Sequence, residues 1–192
     1  AIKPIHFQDY VLLATDPYAL MYPHELTVEF LETYELIIKK VYEIASKHNK
    51  KLVIKTHPQK SSNEEEIARQ IDPTIIVIKS GDILPLIKSS SLVIVTDMST
   101  VILEAQAMKK PIVSILLRDY YGTPEPFESN FCQRININEL DEWVTNVLNS
   151  NDFRNQVVLQ GTRFVDLYLA NQGTASESLL KFLERLNDKT RI

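Results

Sequence analysis

Leu92-Val93-Ile94-Val95-Thr96-Asp97-Met98-Ser99-Thr100-Val101-Ile102-Leu103-Glu104-Ala105 is the stretch whose reading decides the fold. Four apolar residues predict a strand over 92–96. A hydroxyl-bearing turn follows, then a helix over about 99–109, then a second apolar strand over 111–117 that opens Pro111-Ile112-Val113-Ser114-Ile115. Strand, short turn and helix is an arrangement by which α/β proteins hold phosphate, because the N–H groups of a first helical turn lack intrahelical partners and the helix dipole favours an anion. Ser99 and Thr100 add hydroxyl donors. Glu104 lies one turn beyond Thr100 on the same helix face, where a carboxylate accepts hydrogen bonds from sugar hydroxyls. A second reading stands beside this one: Asp97 or Ser99 caps the helix and nothing more.

Working outward, Tyr10–Ala14, 51–55 and 74–78 also read as strands. Each is a continuous apolar run rather than an alternation, as expected of strands covered on both faces. The segment 17–26 reads as irregular. It is followed by an amphipathic helix in which Phe30, Leu31, Tyr34, Ile37, Ile38, Val41, Ile44 and Ala45 recur at helical spacing. Shorter helices are predicted over about 63–70 and over Ile83–Ser89. Beyond strand five come a loop over 118–130, a weaker strand at 132–137 and a helix over 138–148. Two terminal helices, about 152–170 and 175–187, close the chain. Alternating strands and helices imply a doubly wound, Rossmann-like parallel sheet in three α/β/α layers, formed as a single domain over 1–192 with 150–192 as terminal helices.

Ligands of such sheets bind beyond the carboxyl ends of the strands, near the switch in strand order. That rule selects Thr15-Asp16, Thr56-His57-Pro58, Ser80-Gly81-Asp82 and Asp97–Thr100. Pro58 biases His57 to extended backbone, so His57 continues the strand line to its tip, and Lys55 lies two residues earlier on the same strand face. A lysine and a histidine there suit phosphate or base; a loop histidine without a role is the alternative. Asp16 reads equally as a ligand contact or as a turn residue before Pro17. Asp82 reads as a cap for the helix after it, with the backbone of 81–84 available to line a nucleobase pocket. Tyr120 and Tyr121 are candidates for stacking on a ligand. His6, His24 and His48 have no comparable setting.

Composition narrows the function. The net charge is −4, without a basic run, which argues against a nucleic-acid partner. No apolar stretch approaches the roughly 18 residues of a membrane span, so any membrane association is expected to be peripheral. Cys132 is the single cysteine; a disulfide framework and a Cys-rich zinc site are excluded, and a reducing compartment fits. With only four glycines, neither the G-x-G-x-x-G fingerprint nor the P-loop is present. There is no G-x-S-x-G elbow, no H-E-x-x-H and no acidic metal cluster. A receiver-type phosphoacceptor domain needs an aspartate ending strand three, where Lys79-Ser80 stand.

Three motifs carry a resemblance. Lys55-Thr56-His57-Pro58 resembles K-x-H-P. Thr96-Asp97-Met98-Ser99-Thr100, continued by Glu104-Ala105 and Lys110-Pro111-Ile112-Val113, resembles a T-D-x-S-S/T motif with its E-A and K-P-V/I-V sequel. Gly173-Thr174-Ala175-Ser176-Glu177 resembles G-x-A-S-E. In this order they are similar to the carboxyl-terminal half of GT-B glycosyltransferases, most of all the group of CDP-glycerol glycerophosphotransferases and capsule or polysialic-acid transferases, and more distantly UDP-N-acetylglucosamine 2-epimerases. The resemblance implies a domain that binds a nucleotide-activated donor of CDP, CMP or UDP type. His57, Ser99 and Thr100 would contact phosphate, Glu104 would hold ribose hydroxyls, and neither cofactor nor metal would be needed. It also implies a cytoplasmic enzyme of polymer synthesis at the inner face of the membrane. The amino-terminal domain with the acceptor site and general base would lie outside this chain, and the initial Ala1 suggests a fragment. Thr96 stands where many GT-B enzymes carry a further glutamate, which argues against the retaining branch. An epimerase-like enzyme and a non-catalytic interaction domain remain as alternatives.

Overall fold

Strand β1 (Tyr10–Ala14) is wholly buried, because it sits at the centre of a six-stranded sheet with helices on both faces. The computed structural model describes residues 8–16, 27–58, 64–117 and 126–189. The other strands are β2 (Leu52–Lys55), β3 (Ile76–Ile78), β4 (Ser90–Thr96), β5 (Ile112–Ile115) and β6 (Gln133–Ile135). All pair in parallel, in the order β3-β2-β1-β4-β5-β6. The chain therefore winds outward from β1 to β3, returns to β4 and winds outward the other way. The switch in strand order lies between β1 and β4. The doubly wound parallel sheet expected from the apolar runs is the fold observed.

Alternation along each strand divides the core in two. Val11, Leu13, Leu52, Ile54, Leu92, Ile94, Val113 and Ile115 face one layer. It is built by α1 (Thr27–Lys47), α2 (Glu64–Ile71) and α5 (Leu140–Asn149), which a 3-10 turn at Ile137–Glu139 introduces. Tyr10, Leu12, Ala14, Val53, Val93, Val95 and Ile112 face the other, built by α3 (Leu84–Ser89) and α4 (Val101–Ala107). Burying one Leu or Ile fully is worth about 1.5–3 kcal/mol, and Leu12, Leu13, Ile54, Leu92 and Ile94 are all sealed. Helix α6 (Asn151–Tyr168) starts against α5, capped by Ser150 Oγ, which accepts from the Phe153 N–H. It then crosses to α4, where Gly161 lies so close that a Cβ would stand 2.6 Å from Gln106 Cγ. The last helix, α7 (Ala175–Lys189), leaves Leu179, Leu180, Leu183 and Leu186 about half exposed.

Register fixes what emerges at the carboxyl edge. Ala14 is opposite both Lys55 and Val95, and Lys55 is opposite Ile78. The segments after β1, β2, β3 and β4 therefore leave the sheet side by side. Several boundaries differ from expectation. β4 begins at Ser90, not Leu92, because its two serines find partners inside: Ser90 Oγ donates to the Ile87 carbonyl and Ser91 Oγ to the Asp9 carboxylate. β3 begins at Ile76, because the Thr74 N–H turns back to Asp72 Oδ1. Helix α4 spans 101–107 instead of 99–109. The irregular 17–26, the loop residues 118–125 with Tyr120 and Tyr121, and both His6 and His24 lie outside the described residues. Among the described residues no helix is long and apolar enough to cross a membrane.

Candidate functional site

A cavity of about 600 Å³ opens at the carboxyl edge of the sheet, over the switch point. Strand ends place its walls. β1 supplies Thr15 and Asp16, β2 supplies Lys55, His57 and Pro58, the turn after β3 supplies Gly81, and the turn into α4 supplies Ser99, Thr100 and, one helical turn on, Glu104. Nine of the residues singled out in the sequence thus line one space. Gly81 has φ +103°, a conformation that side chains other than hydrogen rarely permit, and this lets the chain double back beside the cavity.

Two residues expected at the site stand outside its lining. Asp97 clamps β4 to β5. Its N–H donates to the Ile115 carbonyl at 2.9 Å, its own carbonyl accepts from Ser114 Oγ at 2.6 Å, and Oδ1 accepts from the Leu117 N–H at 3.0 Å. Its φ of +43° is the left-handed turn that aspartate tolerates better than most residues. Asp82 is exposed, and Oδ1 accepts from the Leu84 N–H at 3.0 Å, the turn-closing role of the capping alternative. Electrostatically Asp82 still reaches the site: burial first, and Asp82 second, push the Glu104 carboxyl above the usual range. Glu104 Oε2 is sealed from solvent with no hydrogen-bond partner among the described residues.

The helix start differs from the expected cradle of open N–H groups. Ser99 Oγ accepts from the Val101 N–H at 3.3 Å, the Ser99 carbonyl from Ile102 and the Thr100 carbonyl from Leu103, both at 3.1 Å. The first-turn donors are therefore engaged. Among the described residues the backbone N–H groups of Ser99 and Thr100 have no acceptor, and the Thr100 side chain makes no capping bond. Donor capacity has moved two residues upstream, into the turn itself.

Lys55 is 5% exposed, its ammonium donating to the Thr56 carbonyl at 2.7 Å, and burial lowers its pKa. Met98, which lines the same cavity, is half exposed. Around Thr15 and Asp16, which the sequence singles out, gathers a set of hydroxyls and acids whose other members, Tyr34 and Glu64, sequence patterns did not disclose. Tyr34 of α1 accepts from the Asp16 N–H at 3.2 Å, donates to the Asp16 carbonyl at 3.3 Å and stands 3.5 Å from Thr96 Oγ1. Thr96 Oγ1 in turn donates to Asp16 Oδ2 at 3.4 Å. Thr15 Oγ1 donates to Oε1 of Glu64, a carboxylate only 1% exposed at the start of α2. Tyr34 reads in the sequence as one more apolar position of α1, and Glu64 as one of three successive glutamates. Neither carries a local signal. Burial drives the Asp16 carboxyl up to about 7, reinforced by Asp97 and opposed by Thr96. Among the described residues no group of three or more His, Cys, Asp or Glu is placed to hold a metal ion.

No family model and no curated protein matches the chain. Solved structures do. A protein assigned as a UDP-N-acetylglucosamine 2-epimerase in Listeria monocytogenes superposes with a TM-score of 0.60 at 20% identity, over 95% of this chain and 46% of that one. UDP-GlcNAc 2-epimerase from Neisseria meningitidis, solved with UDP-GlcNAc bound, superposes at 0.56 and 18% identity over 92% and 45%. The glycosyltransferase SnogD from Streptomyces nogalater superposes at 0.56 and 12% identity over 86% and 42%. The fold is thus the Rossmann-like fold of GT-B glycosyltransferases and nucleotide-sugar epimerases. The chain spans less than half the length of each of these three proteins.

Proposed function

We propose that this chain is the donor-binding half of a two-domain transferase that uses a nucleotide-activated donor of CDP, CMP or UDP type. The cavity at the switch point carries the reading. It gathers Lys55, His57, Ser99, Thr100 and Glu104 from two strand ends into one space of nucleotide size. His57, the Thr100 hydroxyl and the Ser99 and Thr100 amides hold the phosphate, and Glu104 accepts from the ribose hydroxyls. Such hydrogen bonds and the His57 side chain stabilise a departing phosphate, so no divalent ion is required. The motifs over 55–177 favour the CDP-glycerol and capsule-transferase group, and with it polymer synthesis at the cytoplasmic face of the membrane. The acceptor site and the general base belong to a further domain, so this chain alone binds nucleotide weakly and transfers nothing. Titration calorimetry with CMP, CDP, UDP, UDP-sugars and CDP-glycerol tests this, and silence with all of them overturns it.

A second reading, an epimerase acting on a nucleotide sugar, is favoured by the two epimerase structures that superpose over more than nine tenths of the chain. Preference for UDP-GlcNAc over CDP-glycerol in the same titration selects it.

A further inference from the structure

We infer that the cavity takes up its anionic ligand together with a proton, and that Asp16 is the group that holds it. The inference rests on the nucleotide reading and concerns how the same site recognises charge. Asp16 lines the cavity beside Lys55, His57, Ser99 and Thr100. It is fixed there, since the Tyr34 hydroxyl engages both its N–H and its carbonyl. Its Oδ2 takes one long hydrogen bond from Thr96. Among the described residues no lysine, arginine or histidine forms an ion pair with Asp16. Lys55, the cation lining the same cavity, is turned to the Thr56 carbonyl.

An ionised Asp16 would meet a phosphate in the cavity as a like charge, whereas the protonated carboxyl presents an O–H donor to a phosphate oxygen. The surroundings favour the neutral form. Tyr34 of α1 stays protonated, its pKa driven well up by burial. Asp97 lies beyond Thr96, Glu64 beyond Thr15, and Glu104 lines the cavity from α4. Lys55, which shares the β2 end with His57, is the opposing cation in the cavity. Burial brings the Asp16 pKa to about 7 before any ligand arrives. An anion raises it further, and by linkage its affinity rises as pH falls.

The test is calorimetry of the 192-residue chain with UDP-glucose and CDP-glycerol, whose doubly esterified diphosphates do not titrate near neutrality. Affinity is expected to fall roughly tenfold from pH 6 to pH 8, with net proton uptake on binding at pH 7. Asp16→Asn should bind without that slope. His57→Gln should bind more weakly but keep it, and Thr96→Val, which removes the one donor lowering the Asp16 pKa, should move its midpoint to higher pH. Binding that is independent of pH, or a slope that survives in Asp16→Asn and vanishes in His57→Gln, overturns the inference and leaves the nucleotide reading standing. Absence of binding to every nucleotide at every pH overturns both.

Discussion

Thr96 and Asp16, eighty positions apart, meet where Asp16 lines the cavity, and the Thr96 hydroxyl donates to the Asp16 carboxyl at 3.4 Å. The contact crosses the switch point: one residue ends β4, the other follows β1. It joins two positions that the sequence offers separately, one as a strand terminus and one as a turn residue, and the Tyr34 hydroxyl completes the set.

Burial of Asp16 makes stability depend on pH. Burial raises the Asp16 pKa to about 7 in the folded chain from an ordinary 3.8, so the native state binds the proton more tightly. Unfolding free energy attributable to Asp16 is therefore greatest below pH ~4 and declines as pH rises toward 7, by up to about 1.4 kcal/mol per pH unit. Urea denaturation of Asp16→Asn across this range should lack the decline. A decline of equal slope in the variant would contradict the assignment.

Tyr34→Phe removes the hydroxyl that satisfies both main-chain groups of Asp16, while leaving the ring in its place among Ile37, Ile38 and Leu13. A loss of about 1–3 kcal/mol is expected from the stranded polar groups, read as a lower urea midpoint with an unchanged m-value.

Ser99 and Thr100 should separate. Ser99 Oγ serves the Val101 N–H, so Ser99→Ala costs about 1 kcal/mol of stability but keeps the amide that meets phosphate, and with it most of the nucleotide affinity. Thr100 has no capping bond, so Thr100→Ala should leave the melting temperature nearly unchanged and still weaken nucleotide binding several-fold. If neither variant alters binding of a nucleotide that the parent chain does bind, the turn is a helix start and no more.

Glu104→Gln tests the ribose contact. Glu104 lines the cavity, where its carboxyl is the acceptor that a ribose hydroxyl would satisfy. The variant should lose about tenfold in affinity for a ribonucleotide, roughly 1.4 kcal/mol, and nothing for its 2′,3′-dideoxy analogue. Equal losses for both ligands would remove Glu104 from that role.

Gly161→Ala probes the α4–α6 contact. The added Cβ meets Gln106 Cγ at 2.6 Å, and Gln106 is held by its Nε2 bond to the Phe131 carbonyl at 2.8 Å. Overpacking of this kind costs about 1–3 kcal/mol, so thermal unfolding should shift down even though alanine is the better helix former.

The sequence by itself determined the layered α/β fold, because an unbroken apolar run such as Leu92-Val93-Ile94-Val95 is stable only when both faces are covered, and covered parallel strands need helical crossovers. It also placed the strand tips that bear Thr15, Lys55, His57 and Ser99, since chemistry in such sheets gathers at one edge. Tertiary structure alone decided how those tips act together. Asp97 turned its carboxylate to Leu117, Ser99 spent its hydroxyl on Val101, and Tyr34 and Thr96 joined Asp16. Local periodicity records which residues are buried, but not which neighbour a polar group meets once buried. That choice follows from strand order and register, which bring positions 16, 34 and 96 to one point.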